Sequence, residues 1–374
     1  MHSNRSAIRL PDARRPGEPP HPGREPDVTP TAEAPAAPRS ARDVLAQARN
    51  LFDPALRAAV DTLPESMRAI AGYHFGWWDE HGAPAAADSG KAIRPALVLV
   101  AAEAVGGDPS DALSAAVAVE LVHNFTLLHD DVMDGDRTRR HRPTAWSVFG
   151  LGAAILAGDA LLTLAYDVLA TTGHPCAQEG ARVLSAAVLA VQDGQAADLA
   201  FEKRADVSLA ECLRMAEGKT GALLGCSTGI GALFGGGTPE RVGHLRSFGE
   251  RLGLAFQLVD DLLGIWGDPA ATGKPVYSDL GNRKKSLPVV AALATDTAAA
   301  HELRALYRGT APLSHPELVR AAELIEQAGG RSWTQTRADE LLADALDHLE
   351  AAHPQPRAGG ELTAIARLST SRDH

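Results

Sequence analysis

The chain has 374 residues, 45% of them apolar and 22% charged, and a formal net charge of −11 at pH 7. That much apolar side chain can bury a sizeable core and excludes a wholly disordered polymer, while the negative balance excludes a global basic field for nucleic acid. Three cysteines (Cys176, Cys212 and Cys226), odd in number and without CxxC spacing, exclude a disulfide framework and a thiolate metal site, as suits a reducing cytoplasm.

Residues 1–42 read as a Pro/Arg-rich tail. The first forty hold nine prolines and almost no large apolar side chains, so the tail is expected to be disordered. Its first thirty residues lack the apolar core of a signal peptide, and no run approaches the ~20 apolar residues of a membrane span. The sequence thus predicts a soluble, cytoplasmic protein with no membrane span.

Residues 43–374 read as one all-α domain. Apolar residues recur at helical spacing in Leu97–Ala104, Leu113–Leu128, Ile155–Leu169, Val183–Val191, Phe248–Leu263 and Leu341–Leu349. Glycine- and proline-rich breakers separate them, as at Gly106-Gly107-Asp108-Pro109 and Gly235-Gly236-Gly237, and strand signals are nearly absent.

Only six of the 36 basic residues are lysine: Lys91, Lys203, Lys219, Lys274, Lys284 and Lys285. In an arginine-rich chain these few are candidates for point-charge work such as phosphate binding. Gly90-Lys91-Ala92-Ile93-Arg94-Pro95 opens a helix and puts Lys91 and Arg94 on one face. The stretch Leu121–Leu128 then runs into Asp130-Asp131-Val132-Met133-Asp134, where i, i+4 spacing points Asp130 and Asp134 together. Carboxylates side by side at a core-facing helix end are costly unless a cation compensates, and oxygen-only ligation suits Mg²⁺ shared with substrate phosphates. Arg139 and Arg140 follow, whereas Arg137 and Arg142 read as surface charges. Lys219-Thr220 comes next, and then Phe256-Gln257-Leu258-Val259-Asp260-Asp261 repeats the pattern of an apolar helical run ending in acids. Lys274 and Lys284 follow that second pair. Acids for Mg²⁺ and bases for phosphate oxygens together predict an enzyme that handles diphosphates.

At this point the sequence resembles the trans-isoprenyl diphosphate synthases, the polyprenyl synthetase family, including its bacterial geranylgeranyl and farnesyl diphosphate synthases. The resemblance rests on ordered motifs: GKAIRP, LVHNFTLLHDDVMDGDRTRRHRPTAW, GQAAD, GKTGAL, FQLVDDLLGIWGD and GKPVYSDLGNRKKSLP. It implies a bundle of long antiparallel helices around a deep central cavity, commonly as a homodimer. It also implies a prenyltransferase that condenses isopentenyl diphosphate with an allylic diphosphate, using two or three Mg²⁺ for which Mn²⁺ can substitute. Asp130, Asp131, Asp134, Asp260 and Asp261 match the metal-binding acids. Lys91, Arg94, His123 and Arg140 match contacts to isopentenyl diphosphate, and Arg139, Lys219, Thr220, Gln257, Lys274 and Lys284 match groups around the allylic diphosphate. Asp198 matches an acid near the reacting carbons.

Two departures stand out. Gly264 occupies the place of the third acid of the second motif, with Asp268 four residues beyond it, and Tyr277 replaces a usual glycine. Phe125, five residues before Asp130 and ~7.5 Å away along the helix axis, would floor the cavity, with Thr126 leaving room beside it. A single aromatic there implies a C20 product, geranylgeranyl diphosphate, with C15 farnesyl diphosphate next. Two other readings share these residues: a terpene cyclase, and a non-catalytic subunit of a heteromeric synthase. The tail resembles those that dock enzymes to a protein partner or an encapsulin shell.

Overall fold

The computed structural model describes residues 38–371, apart from 86, 88, 89, 205, 270–275 and 310. The expected disorder and docking function of residues 1–37, and the position of Lys274, therefore lie outside the described residues.

The described chain is an all-α bundle. Its helices are α1 (Ala41–Val60), α2 (Glu65–His74), α3 (Ile93–Ala104), α4 (Leu113–Met133), α5 (Ala145–Phe149), α6 (Leu151–Thr171), α7 (Ala177–Glu202) and α8 (Leu209–Ala216). A π-helical turn at Glu217–Gly221 leads into α9 (Ala222–Phe234) and α10 (Pro239–Trp266). The C-terminal part holds α11 (Ser278–Gly281), α12 (Leu287–Leu293), α13 (Ala298–Arg308), α14 (His315–Gln327), α15 (Gly330–Ala351) and α16 (Pro356–Ser369). Starts follow ordinary capping chemistry: Thr238 caps α10 ahead of Pro239, and capping boxes at Ser208/Glu211 and Ser314/Glu317 open α8 and α14.

The helices α3, α4 and α9 are buried nearly all round, and their small residues let them pack closely at the centre. The α3 helix lies on α9, α9 on α10, α10 on α15, and α4 on α6. Because only residues 235–238 join α9 to α10, these two run antiparallel.

The helical unit begins earlier than composition indicates. Ser40 caps α1 through Asp43 N–H, and Arg39 clasps the fully buried Glu361 of α16 with two hydrogen bonds of 2.7 and 2.8 Å. Residues 39–42 thus belong to the bundle, not to the tail.

Two helices, α4 with its preceding turn and α6, are long and apolar enough to cross a membrane by length and composition. In the bundle α4 is mostly buried; α6 packs on it but leaves Leu151 and Leu156 56% and 57% exposed.

Candidate active site

The first acidic motif closes α4, where the macrodipole already adds negative charge, and the second lies in the last two turns of α10. At the end of α4, Asp130 is half-buried, Asp131 is buried, and Asp134 is exposed as the C-cap, its N–H donating to the Asp130 carbonyl at 2.8 Å. Burial pushes the Asp130 carboxyl up to about 6, with Lys219 opposing and Asp134 reinforcing the shift. Asp131 is likewise raised to about 6 by burial, although Arg139 Nε donates to its Oδ1 at 2.7 Å. Its other oxygen, Oδ2, is buried without a hydrogen-bond partner.

The second wall lies near the end of α10. Asp260 is exposed and open. Asp261, expected among the metal ligands, is turned inward: its Oδ1 accepts from Gln257 Nε2 and its Oδ2 from the Leu287 N–H, both at 2.8 Å. It ties α10 to the start of α12, which leaves Asp260 as the open acid of the pair. Burial raises the Asp261 carboxyl to about 6.

Between the walls stand the lysines. Lys219 lies on the π-helical turn, a distortion that recurs at functional sites because it redirects side chains and carbonyls. Its ammonium meets Asp198 of α7 at 2.6 Å, and Thr220 Oγ1 donates to Gln257 Oε1 at 2.6 Å, linking the turn to the second motif. Burial works against the Lys284 ammonium, but Asp261, Asp279, Asp198 and Asp260 together outweigh it and raise its pKa. Lys219 acts on Asp130 and Asp134, and Lys284 on Asp134 as well as on Asp260 and Asp261. The two acidic walls thus share one electrostatic centre.

Sequence patterns missed a hairpin. Thr138–Arg139 pairs antiparallel with Arg142–Pro143, and the turn residues Arg140 and His141 adopt φ of +50° and +60°. Two successive left-handed residues make the tight turn that hairpins favour, here without glycine and therefore strained. The turn sets the Arg140 side chain against Gly90. A Cβ on Gly90, whose φ is +88°, would come within 2.5 Å of the Arg140 guanidinium, so glycine just before Lys91 makes room for it. Arg94 Nη1 lies 3.2 Å from His123 Nε2, and burial with the arginines holds the His123 imidazole well below its usual pKa, hence neutral.

Several neighbours of this basic cleft were not apparent in the sequence. His74 Nε2 lies 3.2 Å from Asn124 Oδ1, and Asn124 Nδ2 donates to the buried Glu120. Burial and then Arg140 and Arg139 depress His74 to about 3. Arg142 is not the surface charge expected: it donates to the carbonyls of Tyr73 and Trp78 and stacks on the Tyr73 ring, anchoring the hairpin. Asn124 could have been found from helical spacing, since it shares the face of Glu120 at i, i+4; the His74 contact spans 50 residues and leaves no such signal. Lys91 is exposed.

Phe125 is 4% exposed and meets His129 edge-to-face at 4.7 Å, and Thr126 donates its hydroxyl back to the His123 carbonyl.

Among the described residues no three acids, histidines or cysteines stand close enough to enclose an ion by themselves. The donors nonetheless suit Mg²⁺, which binds through one or two carboxylates and completes its shell with waters and substrate phosphates. The orphaned Asp131 Oδ2 and the Asp130 carboxyl raised by burial are the local signs of an anionic wall with room for a cation.

Residues 77–325 match the family model for polyprenyl synthetase. A (2E,6E)-farnesyl diphosphate synthase of Mycobacterium tuberculosis is 48% identical over 332 residues, covering 88% of this chain and 92% of the relative. A geranylgeranyl diphosphate synthase of the same organism is 47% identical over 331 residues, covering 88% and 93%. The crystal structure of a polyprenyl synthetase from Streptomyces coelicolor A3(2) superposes with a TM-score of 0.85 at 49% identity, covering 88% of this chain and 99% of that one. The chain belongs to the polyprenyl synthetase family and is a prenyl-transferring enzyme of its all-α fold.

Proposed function

We propose that the protein joins isopentenyl diphosphate head-to-tail and in trans to an allylic diphosphate, giving mainly geranylgeranyl diphosphate and next farnesyl diphosphate. The observation that carries this reading is the division of labour among the cations. Lys219 and Lys284 act on both acidic walls, while a second set of cations gathers beside them, Arg140 against Gly90, the residue before Lys91, and Arg94 against His123. One diphosphate is to be expelled, the other only held. A terpene cyclase has no second diphosphate to hold, and a non-catalytic subunit needs no intact first acidic motif.

Asp130, Asp134 and Asp260 would hold Mg²⁺, or Mn²⁺ in its stead, which when bound offsets the charge of the departing diphosphate. Lys219, Lys284 and Arg139 bind that group's oxygens and favour breaking of the allylic C–O bond, whose electron pair leaves with the diphosphate. Carbonyl dipoles of the π-turn and the Thr220 hydroxyl face the allylic cation. Isopentenyl diphosphate, held by Lys91, Arg94, His123 and Arg140, supplies its double-bond electrons to the new C–C bond, and the proton then lost passes to the departed diphosphate. Apolar helices keep out the water that would quench the cation.

Incubation with Mg²⁺, isopentenyl diphosphate and each of the dimethylallyl, geranyl and farnesyl primers tests this. Chain-extended diphosphates are expected, whereas cyclised hydrocarbons or unchanged primer would refute it. Phe125→Ala should lengthen the product by at least one five-carbon unit; because removing a buried ring costs about 3–5 kcal/mol, Phe125→Leu serves as the milder companion. An unchanged product from both would remove Phe125 as the floor.

The apolar side of the bundle supports a homodimer, proposed through α6 and α7, where Leu151, Leu156 and Leu189 are 56–64% exposed. Light scattering should give twice the chain mass, and half that for a Leu156→Glu/Leu189→Glu variant.

A further inference from the structure

The two departures from the family pattern, Gly264 and Tyr277, meet at one place. Tyr277 takes a left-handed φ of +65°, the conformation a glycine would adopt without strain, and so turns the chain into α11. From there the segment runs back along the end of α10: the Tyr277 N–H donates to the Ile265 carbonyl at 3.3 Å, and Ser278 Oγ to the Gly264 carbonyl at 3.2 Å. The next residue, Asp279, lays its carboxylate on Gly264. A Cβ at Gly264 would stand 2.5 Å from Asp279 Oδ2 and 2.8 Å from Oδ1. That carboxylate therefore occupies the space a third acid of the motif would enter, one turn after Asp260. It also acts on Lys284, 3.9 Å away, which responds to Asp260 and Asp261 too. Asp268, the acid the sequence offers as a substitute, instead lines a cleft with Val259, Trp266 and Arg331 on another face of α10.

We propose that Asp279 supplies the acid that Gly264 withholds, so that the second cation-binding wall is built from Asp260 of α10 and Asp279 of α11. The proposal rests on the prenyl-transfer reading given above for the identity of the bound group. It makes Gly264 and Asp279 a matched pair: an acid at 264 and the present placement of Asp279 are sterically exclusive.

The test is calorimetric titration of Mn²⁺ into the full-length protein with saturating inorganic pyrophosphate, which needs no turnover. Asp279→Asn and Asp279→Ala should each weaken Mn²⁺ uptake by about 10–100-fold, the range seen when groups that tune a metal site are removed. Gly264→Ala, which pushes the Asp279 carboxylate aside without replacing it, should do likewise. Gly264→Asp/Asp279→Ala, which moves the acid back onto α10, should recover uptake to within about 3-fold of the native protein. Native-like uptake by both Asp279 variants would overturn the proposal. So would loss without recovery in the double variant, or a native protein that takes up no Mn²⁺ with pyrophosphate. If uptake depends on Asp279 but no primer is extended, the substrate reading fails and the composite wall stands.

Discussion

The two acidic walls start from the same peptide, an apolar helix ending in paired aspartates, and finish differently. At the end of α4 three acids fall within five residues, with Asp131 buried on Arg139, Asp130 half-buried and Asp134 exposed. Near the end of α10 one of two acids is spent internally, Asp261 bridging Gln257 and the Leu287 backbone, and the carboxylate laid on Gly264 comes from another segment. Identical dipeptides therefore do not carry identical duties. Whichever acid has both oxygens satisfied by the fold belongs to the architecture, and whichever is left open belongs to the chemistry.

Four measurements test that contrast. Asp130→Asn should cost the largest factor, about 10²–10³-fold in the rate of primer consumption, while raising the melting temperature of the metal-free protein, because it removes a carboxylate whose charge burial, and then Asp134, disfavours. A fall in both would place Asp130 with the structural acids. Arg140→Ala comes next: losing a charged hydrogen-bond donor should raise KM for isopentenyl diphosphate about 10–100-fold with little change in KM for the allylic primer. Asp261→Asn should behave oppositely to Asp130→Asn, lowering stability by about 1–3 kcal/mol in denaturant titration, since one of its two buried donors loses its acceptor. The smallest effect is in pH dependence. His74 titrates near 3 in the folded protein and near 6.5 when unfolded, so below about pH 6.5 the unfolded chain binds a proton that the native one refuses. Stability should therefore fall steadily from pH 6.5 toward 3, and His74→Gln should flatten part of that slope.

The contiguous features were legible in the sequence. Asp130 and Asp134 share a helix end because helical spacing puts them there, and Arg139 stands beside Asp131 because only a short stretch separates them. What escaped was set by backbone geometry or distant contacts. The π-turn under Lys219, the left-handed Arg140-His141 tip and the inward rotation of Asp261 have no periodic signature. Arg142 was misread because a carbonyl 69 residues away, that of Tyr73, decides its orientation. The expected start of the domain, residue 43, came out late because composition cannot distinguish a capping serine from a tail serine.

The grip of Arg39 on Glu361 brings the two extremities of the folded body to the same corner. Shortening the protein through residue 37 keeps the buckle fastened; shortening it through residue 42 removes the guanidinium and the α1 cap together. Among the described residues, the ion-pair partner left to Glu361 is then Arg357, at 3.9 Å. A trimmed version cut at the later point would be less stable for reasons unrelated to catalysis, and any loss of function would be wrongly credited to the leader.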